Sequence, residues 1–122
     1  MRNTAQLITA ASAVATLLGA LTVTLPAAAA EPTVFEQGKA LAFDNKKGNC
    51  LACHQIEGGE LPGNIGPPLV SMKLRFPDKA KLRAQIFDST KGNANSIMPP
   101  FGRHQILTAD ELDKVVEFIY SL

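Results

Sequence analysis

Cys50-Leu51-Ala52-Cys53-His54 is the stretch on which the reading of this 122-residue chain turns. Two cysteines separated by two residues, with a histidine directly after, form the c-type haem attachment motif. The spacing has a physical basis. On a helical turn, residues at i, i+3 and i+4 project from one face. Cys50 and Cys53 can then form the haem thioethers while His54 is aimed at the iron. Two rival readings are weaker. A structural zinc site needs four ligands, but the chain offers two cysteines and, beyond His54, only His104. A redox dithiol sits in a strand–helix–strand pattern, and the sequence contains none.

Towards the N-terminus, Arg2 gives a short positive region, residues 7–25 are uncharged and apolar or small, and Pro26 precedes a run of alanines, Ala27 to Ala30. This is the layout of an export signal, with Ala28-Ala29-Ala30 as its A-x-A cleavage site. The reading therefore divides the chain into a signal peptide, residues 1–30, and one mature domain, residues 31–122. An uncleaved membrane anchor is the competing reading, because the apolar run is nearly long enough to cross a bilayer. The helix-breaking proline and the small-residue site favour cleavage.

Export changes the charge. The formal +1 from 12 basic and 11 acidic residues falls to about zero when Arg2 leaves with the leader. A neutral domain lacks the basic excess of a nucleic-acid or anionic-membrane binder. So short a mature chain has a marginal core of its own, and a bound haem would add apolar mass. Both cysteines lie in the motif, which leaves none for a structural disulfide.

The remaining elements read as helices separated by loops. Pro32 to Phe43 predicts a first helix with Phe35, Lys39/Ala40 and Phe43 on one face. Gly38 lies mid-helix at a cost of about 1 kcal/mol relative to alanine, which points to close approach of another helix. Polar residues 44–49 end this helix. Gln55 to Gly66, with four glycines and Pro62, is a loop. Pro67 and Pro68 follow; they have fixed φ and free carbonyls. One such carbonyl could orient the second ring nitrogen of His54, or the pair could be a stiff linker. Val70 to Phe76 predicts a short helix or turn.

Pro77 then opens a helix over Asp78 to Ser89. Leu82, Ile86 and Phe87 form its inner stripe, with Lys79, Lys81 and Arg83 solvated. Thr90 to Ser96 is a loop. Met98 precedes Pro99 and Pro100, so its backbone favours extended conformations, an odd place for a packing methionine. It is the preferred distal ligand, because methionine opposite histidine is an electron carrier's haem ligation. Met72, His104 and an open sixth position are the alternatives. Thr108 and Glu111 form a capping box. Leu112, Val115, Val116, Ile119 and Tyr120 recur at helical spacing behind it, flanked by Phe118. No strand pattern appears, so the fold class is all-α.

The order of these features resembles a class I cytochrome c, a small helical domain wrapped around one covalent haem c. In that fold the first and last helices cross at a glycine, which implies that Gly38 faces the last helix near Val115 and Phe118. It also implies that the Pro67 carbonyl accepts from His54. The blocks Gly48 to His54, Leu61 to Leu69 (LPGNIGPPL), Arg75 to Asp78, Met98 to Gly102 (MPPFG) and Phe118 to Tyr120 together resemble the SoxX family more narrowly. These are the monohaem subunits of the SoxAX complex, L-cysteine S-thiosulfotransferase, which joins thiosulfate to a cysteine of the carrier SoxYZ in the periplasm.

The resemblance implies an electron-transfer subunit partnered by SoxA, where the catalytic haem resides. Its other contacts would be transient ones with SoxYZ and a small soluble cytochrome that accepts the electrons. With His54 and Met98 both on iron, no position is left for substrate. Glu57 and Glu60, the nearest acids after the motif, lie in a glycine-rich loop. No catalytic residue is therefore assigned to this chain. A free periplasmic carrier is the alternative, and a haem sensor or peroxidase with an open site a third.

Overall fold

A computed structural model describes residues 30–122; the signal-peptide reading of residues 1–30 falls almost wholly outside them. Among the described residues four α-helices follow in order: α1 over Val34–Phe43, α2 over Met72–Arg75, α3 over Lys79–Phe87 and α4 over Ala109–Tyr120. Short 3-10 turns lie at Cys50–Ala52 and Ser89–Lys91. Among the described residues there is no strand, and no helix is long and apolar enough to cross a membrane.

The helix starts are set by side-chain caps. α1 begins two residues later than the sequence predicts, because Thr33 is its N-cap and forms a capping box with Glu36. The T-x-x-E pattern that signals this was present and went unread. α3 begins at Lys79 because the Asp78 carboxylate accepts from the Ala80 amide, so Pro77 lies outside the helix. It stops at Phe87 because Asp88 leaves helical geometry and caps the next 3-10 turn. α4 starts as expected, with Thr108 and Glu111 exchanging hydrogen bonds.

The core is built mainly where α1 and α4 meet. α4 buries Leu112, Val115, Val116, Phe118 and Ile119. Phe118, expected to flank the stripe, lies inside it. Phe35 and Phe43 stand edge-on to its ring, with centroids 5.3 and 5.8 Å away, the favoured geometry for aromatic pairs. Gly38 is what lets the helices approach. A methyl group there would land on the Lys114 carbonyl and crowd the Phe118 Cβ. Of the expected neighbours Phe118 is met, and the backbone in contact is that of Lys114 rather than Val115.

α3 packs on α4 through buried Leu82 and Ile86. Phe87, expected in the same stripe, is 41% exposed. Two basic residues expected to be simply solvated instead bridge to α4. Lys79 pairs with Glu117 at 2.7 Å and Arg83 with Asp113 at 2.6 Å. Such exposed pairs contribute only about 0–1 kcal/mol each, so they set the register of α3 on α4 more than its stability.

Candidate functional site

The Cys50–Ala52 turn brings the motif residues together. The His54 amide donates to the Cys50 carbonyl at 2.9 Å, closing one α-like turn, and the Cys53 amide does so at 3.2 Å. Asn49, in left-handed geometry with φ of 46°, reverses the chain before it. The Gly48 amide donates back to the Leu41 carbonyl at 3.0 Å. Lys47 pairs with Glu111 at 2.8 Å. The turn is thereby anchored to both long helices.

The following loop is tied to the motif by its backbone. The Gly63 amide donates to the Leu51 carbonyl at 2.7 Å, Gly66 to Cys53 at 2.8 Å and Leu69 to Gln55 at 2.9 Å. These bonds draw the loop so close that only glycine fits at two positions. A Cβ at Gly63 would strike the Ala52 carbonyl, and one at Gly66 would strike the His54 ring.

His54 Nδ1 lies 2.7 Å from the Pro67 carbonyl oxygen. A carbonyl can only accept, so the proton of the neutral imidazole sits on Nδ1 and the Nε2 lone pair is free for a metal. Arg75 Nη1 donates to the next carbonyl, that of Pro68, at 2.7 Å. Both proline carbonyls are thus engaged by side chains from outside the loop. The Arg75 contact carried no signal that sequence reading could use.

The candidate thioethers differ. Met72 is 2% exposed in the core and its sulfur meets Arg75 Nη1 at 3.5 Å. Met98 is half-buried in the proline-rich loop. Its carbonyl accepts from Ser89 Oγ at 2.7 Å and its amide donates to Ser96 Oγ at 3.3 Å. His104 is exposed on the turn that follows. Ser89 is a residue that sequence reading left in a helix end, although the Asp88-Ser89-Thr90 run is a recognisable cap signature.

The donor set fits haem c. Two thiols sit one turn apart, and an imidazole has one nitrogen committed and one free. Burial pushes the Cys50 thiol up to about 11, with Cys53 adding a smaller rise, so it is un-ionised at neutral pH in the free chain. Leu61, Ile65, Val70, Leu74 and Ile97 are exposed and all lie on the segments between His54 and Met98. A flat apolar ring is a group that such side chains can line. Among the described residues, no group of three or more acids, histidines and cysteines could hold a metal ion by itself.

Comparisons with known proteins point to the same cofactor. Residues 35–122 match the family model described as cytochrome c. A chain of the crystal structure of SoxXA from P. pantotrophus is similar in fold, with a TM-score of 0.64 and 29% identity. The likeness covers 70% of this chain and 79% of that one. A protein described as an uncharacterized lipoprotein from Aquifex aeolicus (strain VF5) is 32% identical over 78 residues. That match covers 63% of this chain but only 38% of the lipoprotein, so the chain corresponds to about two fifths of that relative.

Proposed function

The chain belongs to the cytochrome c family, with its class I helical fold and covalent haem c, and from that premise we propose that it is the electron-transfer subunit of a SoxAX-type complex. Its partner in this reading is a SoxA subunit, and the reaction served is the joining of thiosulfate to a cysteine of a SoxYZ-type carrier. The observation that carries the proposal is the likeness to a chain of SoxXA. That likeness runs through the segments on both sides of the motif rather than through the motif alone.

Residue roles follow from the site. Cys50 and Cys53 supply the thioethers. His54 is the proximal ligand through Nε2, with Pro67 holding Nδ1–H. Met98 is the distal ligand; Met72 is supported less well, because its sulfur already lies against Arg75 in the core. Haem c, when bound, supplies a one-electron iron couple, and methionine ligation raises its potential. With His54 and Met98 both holding the haem, no open iron position would remain for substrate, which would suit electron transfer.

The stoichiometry also limits the role. A thiol and thiosulfate joined by a new S–S bond release two electrons and one proton. A one-haem subunit must therefore discharge to an acceptor between them, and a small soluble cytochrome fits. The carrier runs in the periplasm if residues 1–30 act as a cleaved signal.

Co-purification from the native host, followed by mass and haem counting, tests the partnership. The expected result is a stable complex with a second haem-bearing subunit, and no thiosulfate conjugation by this chain alone. A monomer at every concentration would make it a free carrier. The ligand roles are tested separately. Met98→Ala should abolish the weak far-red sulfur-to-iron band of the oxidised protein and lower its potential; an unchanged spectrum would assign the ligand to Met72 or His104.

A further inference from the structure

Among the described residues two polar side chains are buried in the core, Asp88 at 2% and Ser89 at 0% exposure. They are neighbours in sequence, and both reach towards the loop that carries Met98. Ser89 Oγ donates to the Met98 carbonyl at 2.7 Å. The Asp88 carboxylate accepts from Arg103 Nη1 at 3.2 Å, just past the other end of that loop. One residue earlier, the Phe87 carbonyl accepts from the amides of both Gly102 and Arg103, at 3.1 and 3.2 Å. Three consecutive residues at the end of α3 therefore fasten both ends of the 98–103 segment.

Ending a helix does not require this much. The Asp88 side chain already caps the turn by accepting from the Thr90 amide at 3.2 Å. A buried hydroxyl is unfavourable unless it is partnered, and the partner Ser89 has is the backbone of Met98. The loop needs outside donors, because Pro99 and Pro100 have no N–H to form an internal ladder.

We infer that Phe87, Asp88 and Ser89 form a clamp that keeps the Met98 thioether on iron against exchange with outside ligands, with Ser89 and Arg103 as positioning residues. This rests on the reading of Met98 as the distal ligand. An incoming ligand can bind only when the thioether leaves, and the loop cannot move away without breaking the Ser89 and Arg103 bonds. The clamp thus sets how often the iron opens, while His54 and Met98 set its potential when closed.

Imidazole binding to the oxidised holoprotein, followed by loss of the far-red band, tests this. Ser89→Ala should raise the apparent imidazole affinity roughly fivefold to tenfold, the effect of one lost buried hydrogen bond. Arg103→Ala should give a smaller rise, and Arg103→Lys should restore most of the resistance. Arg103 is largely exposed, so this variant carries the test if Ser89→Ala does not fold. Val115→Ala, which loosens α4 away from the loop, is the control. If Val115→Ala at equal loss of global stability admits imidazole as readily, or if the clamp variants leave binding unchanged, the clamp is overturned and the Met98 assignment stands. If Met98→Ala leaves the far-red band intact, the ligand reading fails and the clamp with it.

Discussion

The α1–α4 pair and the loop half around His54 and Met98 are held together by different physics. In the helix pair, shape dominates: Gly38 against the Lys114 carbonyl, two phenylalanines edge-on to Phe118, and five inward α4 side chains. Each helix of the pair begins at a capping box. In the loop half, core side chains are fewer and are joined by tethers to backbone carbonyls. Pro67, Pro68 and Met98 each accept from a side chain, and five large aliphatic side chains stay exposed on the connecting segments. The first region resembles a small folded core; the second joins that core through Ile56, Leu69, Met72 and Phe101, adds polar tethers, and would gain further apolar contacts from haem.

The largest expected effect comes from separating the two directly. Cys50→Ala with Cys53→Ala, which prevents thioether formation, should strip amide-exchange protection from residues 55–76 and 89–103. Residual protection should survive in α1 and α4. Equal loss in both regions would show that the halves are one cooperative unit and end the distinction.

Two glycines sharpen it next. Gly38→Ala forces the helices apart and should cost about 3 kcal/mol, at the upper range of core overpacking, read as a lowered denaturant midpoint with an unchanged haem spectrum. Gly66→Ala presses on the His54 ring instead. It should shift the spectrum and potential with the smaller loss of stability. Reversal of that pattern would mean that His54 is not held by the loop.

Caps and the two glutamates that complete them give smaller effects, which fall on the helix pair. Thr108→Ala should cost about 1 kcal/mol, the usual worth of an N-cap hydroxyl, measured by chemical denaturation. Lys47, and then the Thr108 amide, lower the Glu111 pKa; the Thr33 amide and hydroxyl lower that of Glu36. A carboxylate whose folded pKa is lowered contributes stability above its unfolded value, about 4.3 for glutamate. That contribution is lost as pH falls from there through the folded values. Glu111→Gln should flatten part of this acid limb, seen as a smaller drop in thermal midpoint between neutral pH and about pH 3.

Legibility in the sequence follows the same division. The α4 stripe and its Thr108–Glu111 box are local patterns, and both were read. The role of Gly38 was read from the cost of a mid-helix glycine and from the family likeness, with Phe118 met and Lys114 standing where Val115 was expected. Sequence order also brought the motif and the Gly-Pro-Pro segment into view. The bridges from Lys79 and Arg83 to α4 were missed, since a charged residue at helical spacing looks solvated until its neighbour is known. Ser89 and Arg75 were missed for a deeper reason. Each bonds to a backbone carbonyl, a group every residue carries, so no side-chain pattern marks the partner.

The contact of Gly38 with Lys114 also bears on the speed of folding. It joins helices separated by about 65 intervening residues, so the best-packed interface is also among the least local contacts. Chains rich in such distant contacts fold slowly. Yet closure entropy grows only with the logarithm of loop length, so doubling the enclosed chain adds only about 0.6 kcal/mol. The helix pair can thus tolerate much remodelling of the segments it encloses. A family sharing this frame can change its partners and haem surroundings by altering loops, while the glycine crossing remains the costly thing to change.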